Sequence, residues 1–182
     1  TFGQDIISMD DPSLYGSIAY QMSFKRAIHS NPPIITDYKI VTIAITDNEI
    51  EEFLDSECDV TVSIKERSAS IQDLVTAVAI NRLIREKKVS HIISFHKSIG
   101  NAQSFAEVQS ELFGLDEIEG FASSVSSKLP THERNKRLAE FESASRAVIC
   151  NARCLQEGID IPIVDAVVFA DPKHSLVDIV QA

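Results

Sequence analysis

The stretch NARCLQEGIDIPIVDAVVF, residues 151–169, decides how the rest of the chain is interpreted. It follows an apolar run, RAVIC at residues 146–150, and leads through a polar loop with a glycine and a proline into a second apolar run. Glycine and proline alone would be enough to turn the chain. The additional asparagine, arginine, glutamine, glutamate and aspartate therefore indicate that this loop meets a ligand.

Apolar runs alternate with amphipathic runs along the chain, which is typical of an α/β domain built on a mostly parallel sheet. We predict strands at KIVTIAIT (39–46), HIISF (91–95), GFASSV (120–125), RAVIC (146–150) and IVDAVVFAD (163–171). We predict helices from Ser70 to about Lys88, at AQSFAEVQSELF (102–113) and at PTHERNKRLAEFES (130–143). The domain is therefore expected to be a sheet covered by helices.

Spacing also predicts which residues begin and pack these helices. Ser70 with Asp73 forms a capping pair, Thr131 after Pro130 is the expected cap of its helix, and Ser175 is expected to cap a final one. An apolar stripe on the helix that starts at Ser70 is expected to face the core; it consists of Ile71, Leu74, Val75, Val78, Leu83 and Ile84.

The first 38 residues lack this alternation and are predicted to be an irregular lead-in with a short helix from Ser23, so the folded lobe is expected to span residues 39–182. Residues 49–67 are expected to be an insertion or an arm, with no role assigned. Since the chain starts at a threonine and stops inside a helical pattern, we expect it to be a piece of a longer protein.

Composition limits the class of protein. With 182 residues, 44% hydrophobic and 24% charged, the chain suits one globular domain. It has no apolar run of about 20 residues and no leader sequence, which favours a cytoplasmic protein without membrane contact. Its three cysteines complete no zinc site, so no metal site is expected. The net charge of −10 argues against a surface that coats nucleic acid generally, but leaves room for a local basic track.

Polar side chains follow three of the predicted strands. His96, Lys97 and Ser98 follow HIISF, the polar loop follows RAVIC, and residues 172–175 (PKHS) follow the last strand. Ligands of open α/β sheets gather at the carboxyl ends of strands. Cationic and hydroxyl side chains there favour a phosphate-rich partner.

Several of these segments resemble the motifs of superfamily 2 helicases. Motif V, followed by the first two residues of motif VI, resembles the segment VICNARCLQEGIDIPIVDAVVFADPKHSLVDIVQA. Motif IV is similar to IISFHKSIGNAQSF. The helix that follows motif IV in the family, with its characteristic arginine, resembles SSKLPTHERNKRLAEF, where the arginine is Arg134. The lead-in MDDPSLYG resembles the segment after motif III in the restriction-type and predicted-helicase branch. The resemblance covers nearly the whole chain.

The resemblance implies a RecA-like three-layer α/β domain with a mostly parallel central sheet, the second lobe of an ATP-dependent helicase or translocase. By the same resemblance, Gly158, Asp160 and Gln181 would meet the nucleotide. A second set would meet the nucleic-acid backbone: His96, Lys97, Ser98, Arg134, Asn151, Ala152 and Arg153. Position 152 is alanine where many relatives have threonine, so its contact is expected through the backbone.

The chain departs from a complete motor. It contains no G-x-x-x-x-G-K-[ST] loop and no Asp-Glu pair after a strand, so ATP and Mg²⁺ would bind mainly through a first RecA-like lobe. We therefore expect the chain alone not to be catalytic. Its expected partners are the first RecA-like lobe and nucleic acid, with DNA favoured over RNA. The alternative is a degenerate helicase lobe that binds proteins. A Rossmann enzyme is disfavoured because the six glycines never form G-x-G-x-x-G.

Overall fold

A computed structural model of the chain describes residues 11–56, 70–152 and 161–171. The described residues divide into two units, one ending at Thr42 and one beginning at Ile43. The boundary that we predicted between residues 38 and 39 stays a prediction. None of the helices in the described ranges has the length and hydropathy needed to cross a membrane.

The first unit contains two short helices, α1 (Pro12–Tyr15) and α2 (Phe24–Ile28). Asp11 caps α1, since its carboxylate accepts the Ser13 N–H at 2.8 Å. Ser23 caps α2 by accepting the Arg26 N–H, which confirms the predicted start of this helix.

The second unit is built on a parallel sheet. Its described strands are β1 (His91–Phe95), β2 (Phe121–Ser126), β3 (Ala147–Ala152) and β4 (Ala166–Phe169), in the order β2-β3-β1-β4. All three pairings are parallel. These strands confirm four of the five predicted ones and the predicted α/β class.

Helices cover both faces of this sheet. They are α3 (Asp47–Ser56), α4 (Ile71–Lys87), α5 (Ile99–Leu115) and α6 (Thr131–Ser143). Helices α4 and α5 enclose one core with the side chains of Ile92, Val148 and Cys150. Phe141 of α6 packs on the other face with Ile93 and Ile149. Because a parallel sheet is covered on both faces, the two central strands β1 and β3 are buried along their whole length.

The carboxylate of Asp165 aligns β4 with β1 at their amino ends. It accepts the Ser90 N–H at 2.8 Å, the Ser90 hydroxyl at 2.9 Å and the His91 N–H at 3.0 Å. Three hydrogen bonds to one charged acceptor fix the register of the two strands better than one neutral bond would. Buried His91 also packs its ring edge-on against Phe141.

The predicted strand at residues 39–46 is wrong. These residues pair with no described strand, and Ile40 is 87% exposed. The segment instead packs Ile43 and Ile45 partly against the core beside α4, and Arg82 donates to Ala44 O at 3.0 Å. The alternating residues Ile43 and Ile45 therefore line one side of an extended segment that pairs with none of the described strands.

Two details of the helices also differ from the predictions. Ser70 and Asp73 form the predicted capping box of α4, but Ile71 in its first turn is 69% exposed and lies outside the core. Thr131 is the first residue of α6 and not its cap; Pro130 occupies the cap position without a side-chain hydrogen bond. Proline is favoured at helix starts for its fixed φ, which explains how α6 begins without a hydroxyl cap.

Two glycines allow a matched test of how closely the chain packs around Phe113. A Cβ at Gly120 would lie 2.7 Å from two ring carbons of buried Phe113, whereas a Cβ at Gly114 would meet nothing within 4 Å. We predict that Gly120→Ala lowers the free energy of unfolding by about 1–3 kcal/mol through overpacking. Gly114→Ala should raise it by about 0.5–1 kcal/mol because alanine favours the helix. Urea denaturation of both variants checks this, and equal effects would contradict the packing described.

Candidate functional site

The carboxyl ends of three parallel strands meet at one edge of the sheet. Phe95, the last residue of β1, pairs with Asn151 of β3 and with Phe169 of β4. The connection continues past the strands, since His96 N–H donates to Asn151 O at 3.0 Å and Ala170 N–H donates to Phe95 O at 3.2 Å. Among the described residues, His96 after β1 and Ala170 after β4 therefore lie together at the ends of these strands. We call this region the carboxyl edge.

Asp171 joins the end of β4 to the loop after β1. Its carboxylate accepts the Lys97 N–H at 2.8 Å and lies 3.6 Å from Lys97 Nζ. Sequence reasoning missed Asp171, although it is the last residue of a predicted parallel strand, and functional groups gather at the carboxyl ends of such strands. This aspartate holds the Lys97 backbone in place at the carboxyl edge.

The Lys97 side chain is 70% exposed. An exposed ion pair contributes at most about 1 kcal/mol, because water screens the charges and the long side chain loses freedom. The Lys97 ammonium group can therefore exchange the Asp171 carboxylate for an incoming anion at little cost. Among the described cations of the predicted site, Lys97 is more exposed than Arg134.

Ser98 is the cap of α5. Its hydroxyl accepts the Asn101 N–H at 3.1 Å and donates to Asn101 Oδ1 at 2.7 Å. The side chain is thus engaged by the helix. The capping places the start of α5, with its remaining first-turn amides and positive dipole end, beside Lys97 at the carboxyl edge.

His96, the first residue after β1, is buried. It is 3% exposed, its Nε2 lies 3.0 Å from Ser94 Oγ, and its ring centroid lies 4.8 Å from that of Phe105. Burial lowers the pKa of His96 to about 4, against the opposite influence of Asp171 and Asp73. The imidazole is therefore neutral at neutral pH, and the contact of His96 with nucleic acid stays a prediction.

The other predicted backbone contacts lie in different settings. The side chains of Asn151 and Ala152 are buried at the end of β3, so in this conformation neither is offered to a ligand in solvent. Arg134 is half-buried near the start of α6, which follows β2. Since β2 is two strands from β1, the carboxyl end of β2 lies about 10 Å along the sheet from that of β1.

Four of the predicted site residues, Arg153, Gly158, Asp160 and Gln181, lie outside the described residues, as does the predicted cap Ser175. Within the described ranges, no group of three or more histidine, cysteine, aspartate or glutamate residues could hold a metal ion. The nucleotide side of the predicted site therefore stays a prediction.

Burial of neutral His96 predicts a pH-dependent stability. His96 takes up a proton near pH 6.5 in the unfolded chain, but only near pH 4 in the folded chain. The free energy of unfolding should therefore fall as the pH drops from about 6.5 to 4, by up to about 3 kcal/mol from this residue. Urea denaturation across this range measures it. His96→Gln should flatten the dependence, whereas the same change at exposed His29 should not; equal curves would contradict the burial of His96.

Comparison with known proteins connects this fold to one family. Residues 75–182 match the family described as helicase conserved C-terminal domain. The chain is 27% identical over 178 residues to a probable helicase of African swine fever virus from a Kenyan pig isolate, covering 97% of the chain and 19% of that protein. A South African tick isolate gives 25% identity over 177 residues with the same coverage. The chain thus spans about a fifth of these viral relatives.

The fold is similar to part of a solved structure, that of the ATP-dependent Type ISP restriction-modification enzyme LlaBIII bound to DNA. The TM-score is 0.70 with 27% sequence identity, over 96% of this chain and 12% of that one. The family match covers more than half of the chain and includes all four described strands. The chain therefore belongs to the helicase conserved C-terminal domain family, as a RecA-like lobe of the superfamily 2 helicase type.

Proposed function

We propose that this chain is the second motor lobe of an ATP-dependent nucleic-acid helicase or translocase, and that its carboxyl edge forms part of the nucleic-acid track. The observation that carries the proposal is the exposed Lys97 ammonium group, held beside the start of α5 by the Asp171 contact to its backbone. Family membership supports a helicase role.

The carboxyl edge suits a phosphate group for two physical reasons. Lys97 supplies a charge that is exchangeable at low cost, and the start of α5 supplies backbone N–H donors with the positive end of the helix dipole. Neither feature distinguishes one nucleotide base from another. Binding through them is therefore independent of nucleotide sequence, as a translocating motor requires.

Arg134 would extend this track along the sheet, towards β2. It lies near the start of α6, the helix that follows β2, and β2 is two strands from β1. Consecutive phosphates of one strand are separated by several ångströms, so the two cations suit different phosphates. We include Arg153 with them from the resemblance alone.

The nucleotide would bind on the other side of the motif V loop. Gly158 would allow close approach of the backbone, and Asp160 would accept hydrogen bonds from a ribose hydroxyl or orient the arginines of motif VI. Gln181 begins that motif in this sequence. In this proposal a single loop contacts both nucleotide and nucleic acid, which would couple hydrolysis to movement.

The magnesium ion is assigned to no described residue, because none of the described clusters could hold it. Magnesium would supply positive charge that neutralises the phosphate groups of ATP. We propose that the first lobe of the longer protein supplies those ligands. The present lobe would contribute one wall of the ATP cleft.

DNA is favoured over RNA as the partner. The support is the similarity to the restriction-modification enzyme, whose structure was solved bound to DNA. The alternative is a degenerate lobe that binds proteins, which the net charge of −10 would suit. Salt separates the two, since each phosphate contact adds about one to the slope of log affinity against log salt.

The first test concerns Lys97. We predict that Lys97→Ala weakens binding of single-stranded DNA alike for all base sequences, and lowers the salt slope by about one. Fluorescence anisotropy between about 50 and 200 mM salt measures both. Lys87→Ala is the matched control, because this exposed lysine ends α4 at the opposite edge of the sheet. An effect that depends on base sequence, or an equal effect of both variants, would contradict the track.

The second test concerns hydrolysis. Residues 1–182 should show no magnesium-dependent ATP turnover above background, because the phosphate loop is missing and arginine fingers alone are worth about a thousandfold in rate. Joined to a first lobe, the chain should support DNA-stimulated turnover that Asp160→Ala strongly lowers. Turnover by the purified chain that is lost in Asp160→Ala would instead require a complete active site within it.

A further inference from the structure

Residues 20–26 (YQMSFKR) place aromatic and basic side chains together on the surface of the first unit. Tyr20 precedes α2, whereas Phe24, Lys25 and Arg26 belong to this helix, and all four residues are exposed. Surfaces that bind single-stranded nucleic acid combine such side chains, because bases stack on aromatic rings and phosphates meet the cations. The segment therefore has the side-chain chemistry of a site for a single strand.

The guanidinium group of Arg26 lies over the ring of Tyr20. Its central carbon is 5.8 Å from the ring centroid, which is a cation–π contact. The backbone of Arg26 is held at the start of α2, since its N–H donates to the Ser23 hydroxyl at 3.3 Å. One face of the Tyr20 ring therefore carries a positive charge. We call these two side chains the ring–cation pair.

The other face of the Tyr20 ring is open. Tyr20 is 63% exposed, and Arg26 is the contact that the ring makes within the described part of the chain. Its phenol hydroxyl makes no hydrogen bond to any described residue. A flat ligand can therefore stack on the ring from the side opposite the guanidinium group without displacing a side chain.

The first unit is locally positive within an acidic protein. Its residues 11–42 contain three basic side chains, Lys25, Arg26 and Lys39, and two acidic ones, Asp11 and Asp37, which leaves a formal charge of +1 in a chain of net charge −10. Neither basic residue of α2 forms an ion pair within the described residues, whereas four cations of the second unit pair with carboxylates. The cations of α2 can therefore meet a phosphate without giving up a carboxylate.

We propose that the ring–cation pair binds one nucleotide of single-stranded nucleic acid, with the base stacked on Tyr20 and the phosphate on Arg26. Stacking tolerates every base, so the contact does not depend on sequence. This inference rests on the proposed function, because it takes the same kind of strand as its ligand. It adds a contact with bases, whereas the carboxyl edge is proposed to contact phosphates.

A protein partner is the competing occupant of this surface. Exposed Ile18 and Ile34 lie in the same unit and would suit an apolar interface. The cores of protein–protein interfaces contain few charged side chains, however, so unpaired Lys25 and Arg26 beside the ring favour nucleic acid.

The test compares two oligomers bound by residues 1–182: oligothymidylate, and an abasic copy that keeps the phosphates and lacks the bases. Fluorescence anisotropy should show about tenfold tighter binding of oligothymidylate, and Tyr20→Ala should remove this preference. Tyr38→Ala is the matched control, because Tyr38 is also 63% exposed but stands beside the Asp37 carboxylate; it should change the preference by less than about twofold. Equal binding of both oligomers, or a preference that survives Tyr20→Ala, would overturn the proposal.

Arg26 and Lys97 separate this inference from the proposed track. Arg26→Ala should lower the salt slope by about one, and Arg26→Lys should restore the slope because it keeps the charge. Lys97→Ala should weaken binding of both oligomers alike and leave the preference for oligothymidylate intact. A track that fails would therefore leave the stacking preference in place, whereas an unchanged salt slope in Arg26→Ala would overturn the present proposal.

An optical measurement locates the base on the ring. The chain has no tryptophan, so Tyr20→Trp keeps an aromatic ring at this position and introduces the only tryptophan of the protein. Oligothymidylate should quench its fluorescence by stacking, and the abasic copy should not. Binding without quenching, or displacement of oligothymidylate by ATP, would overturn the proposal.

The same variant tests the competing protein partner. When the chain is joined to a first lobe, acrylamide should still quench this tryptophan until oligothymidylate is added. Protection by the first lobe without any DNA would assign the ring to an interface between domains and overturn the proposal.

Discussion

Parallel pairing of β1 with β3 and β4 is the constraint on which the rest of the lobe depends. All five residues of β1 are buried between these strands and the helices on both faces. A parallel sheet needs helical crossovers, and each crossover brings the next helix start to the same edge of the sheet. The starts of α5 and α6 therefore lie at the carboxyl edge because of the strand pairing, before any ligand is considered.

Two aspartates hold β4 onto β1, one at each end. Asp165 binds the backbone of Ser90 and His91 at the amino end, and Asp171 binds the backbone of Lys97 at the carboxyl end. The first contact is far from the carboxyl edge and fixes the strand register. The second places an exposed cation next to a helix start. The Asp171 carboxylate therefore serves both the structure and the proposed function. A charged ligand can displace it from the Lys97 ammonium group without breaking its hydrogen bond to the Lys97 backbone.

Sequence patterns predicted those features that depend on local periodicity and capping. The capping box of Ser70 and Asp73 and four of the five strands were predicted correctly. The strand at residues 39–46 failed because alternation cannot tell a paired strand from an extended segment that rests on a helix. The burial of His96 against Phe105 of α5 was not predicted, because local patterns do not show which side of the loop packs on the helix. Asp171 was missed because its partner lies 74 residues away.

Hydrogen–deuterium exchange of the chain, with and without single-stranded DNA, tests most directly whether the carboxyl edge is the nucleic-acid face. The account predicts slower exchange in the presence of DNA at the amides of residues 96–101, where Lys97 and the start of α5 lie. It predicts no change at residues 87–91 and 119–121, which lie at the opposite edge of the sheet. Protection confined to the opposite edge, or none at residues 96–101 under conditions where DNA is bound, would contradict the account.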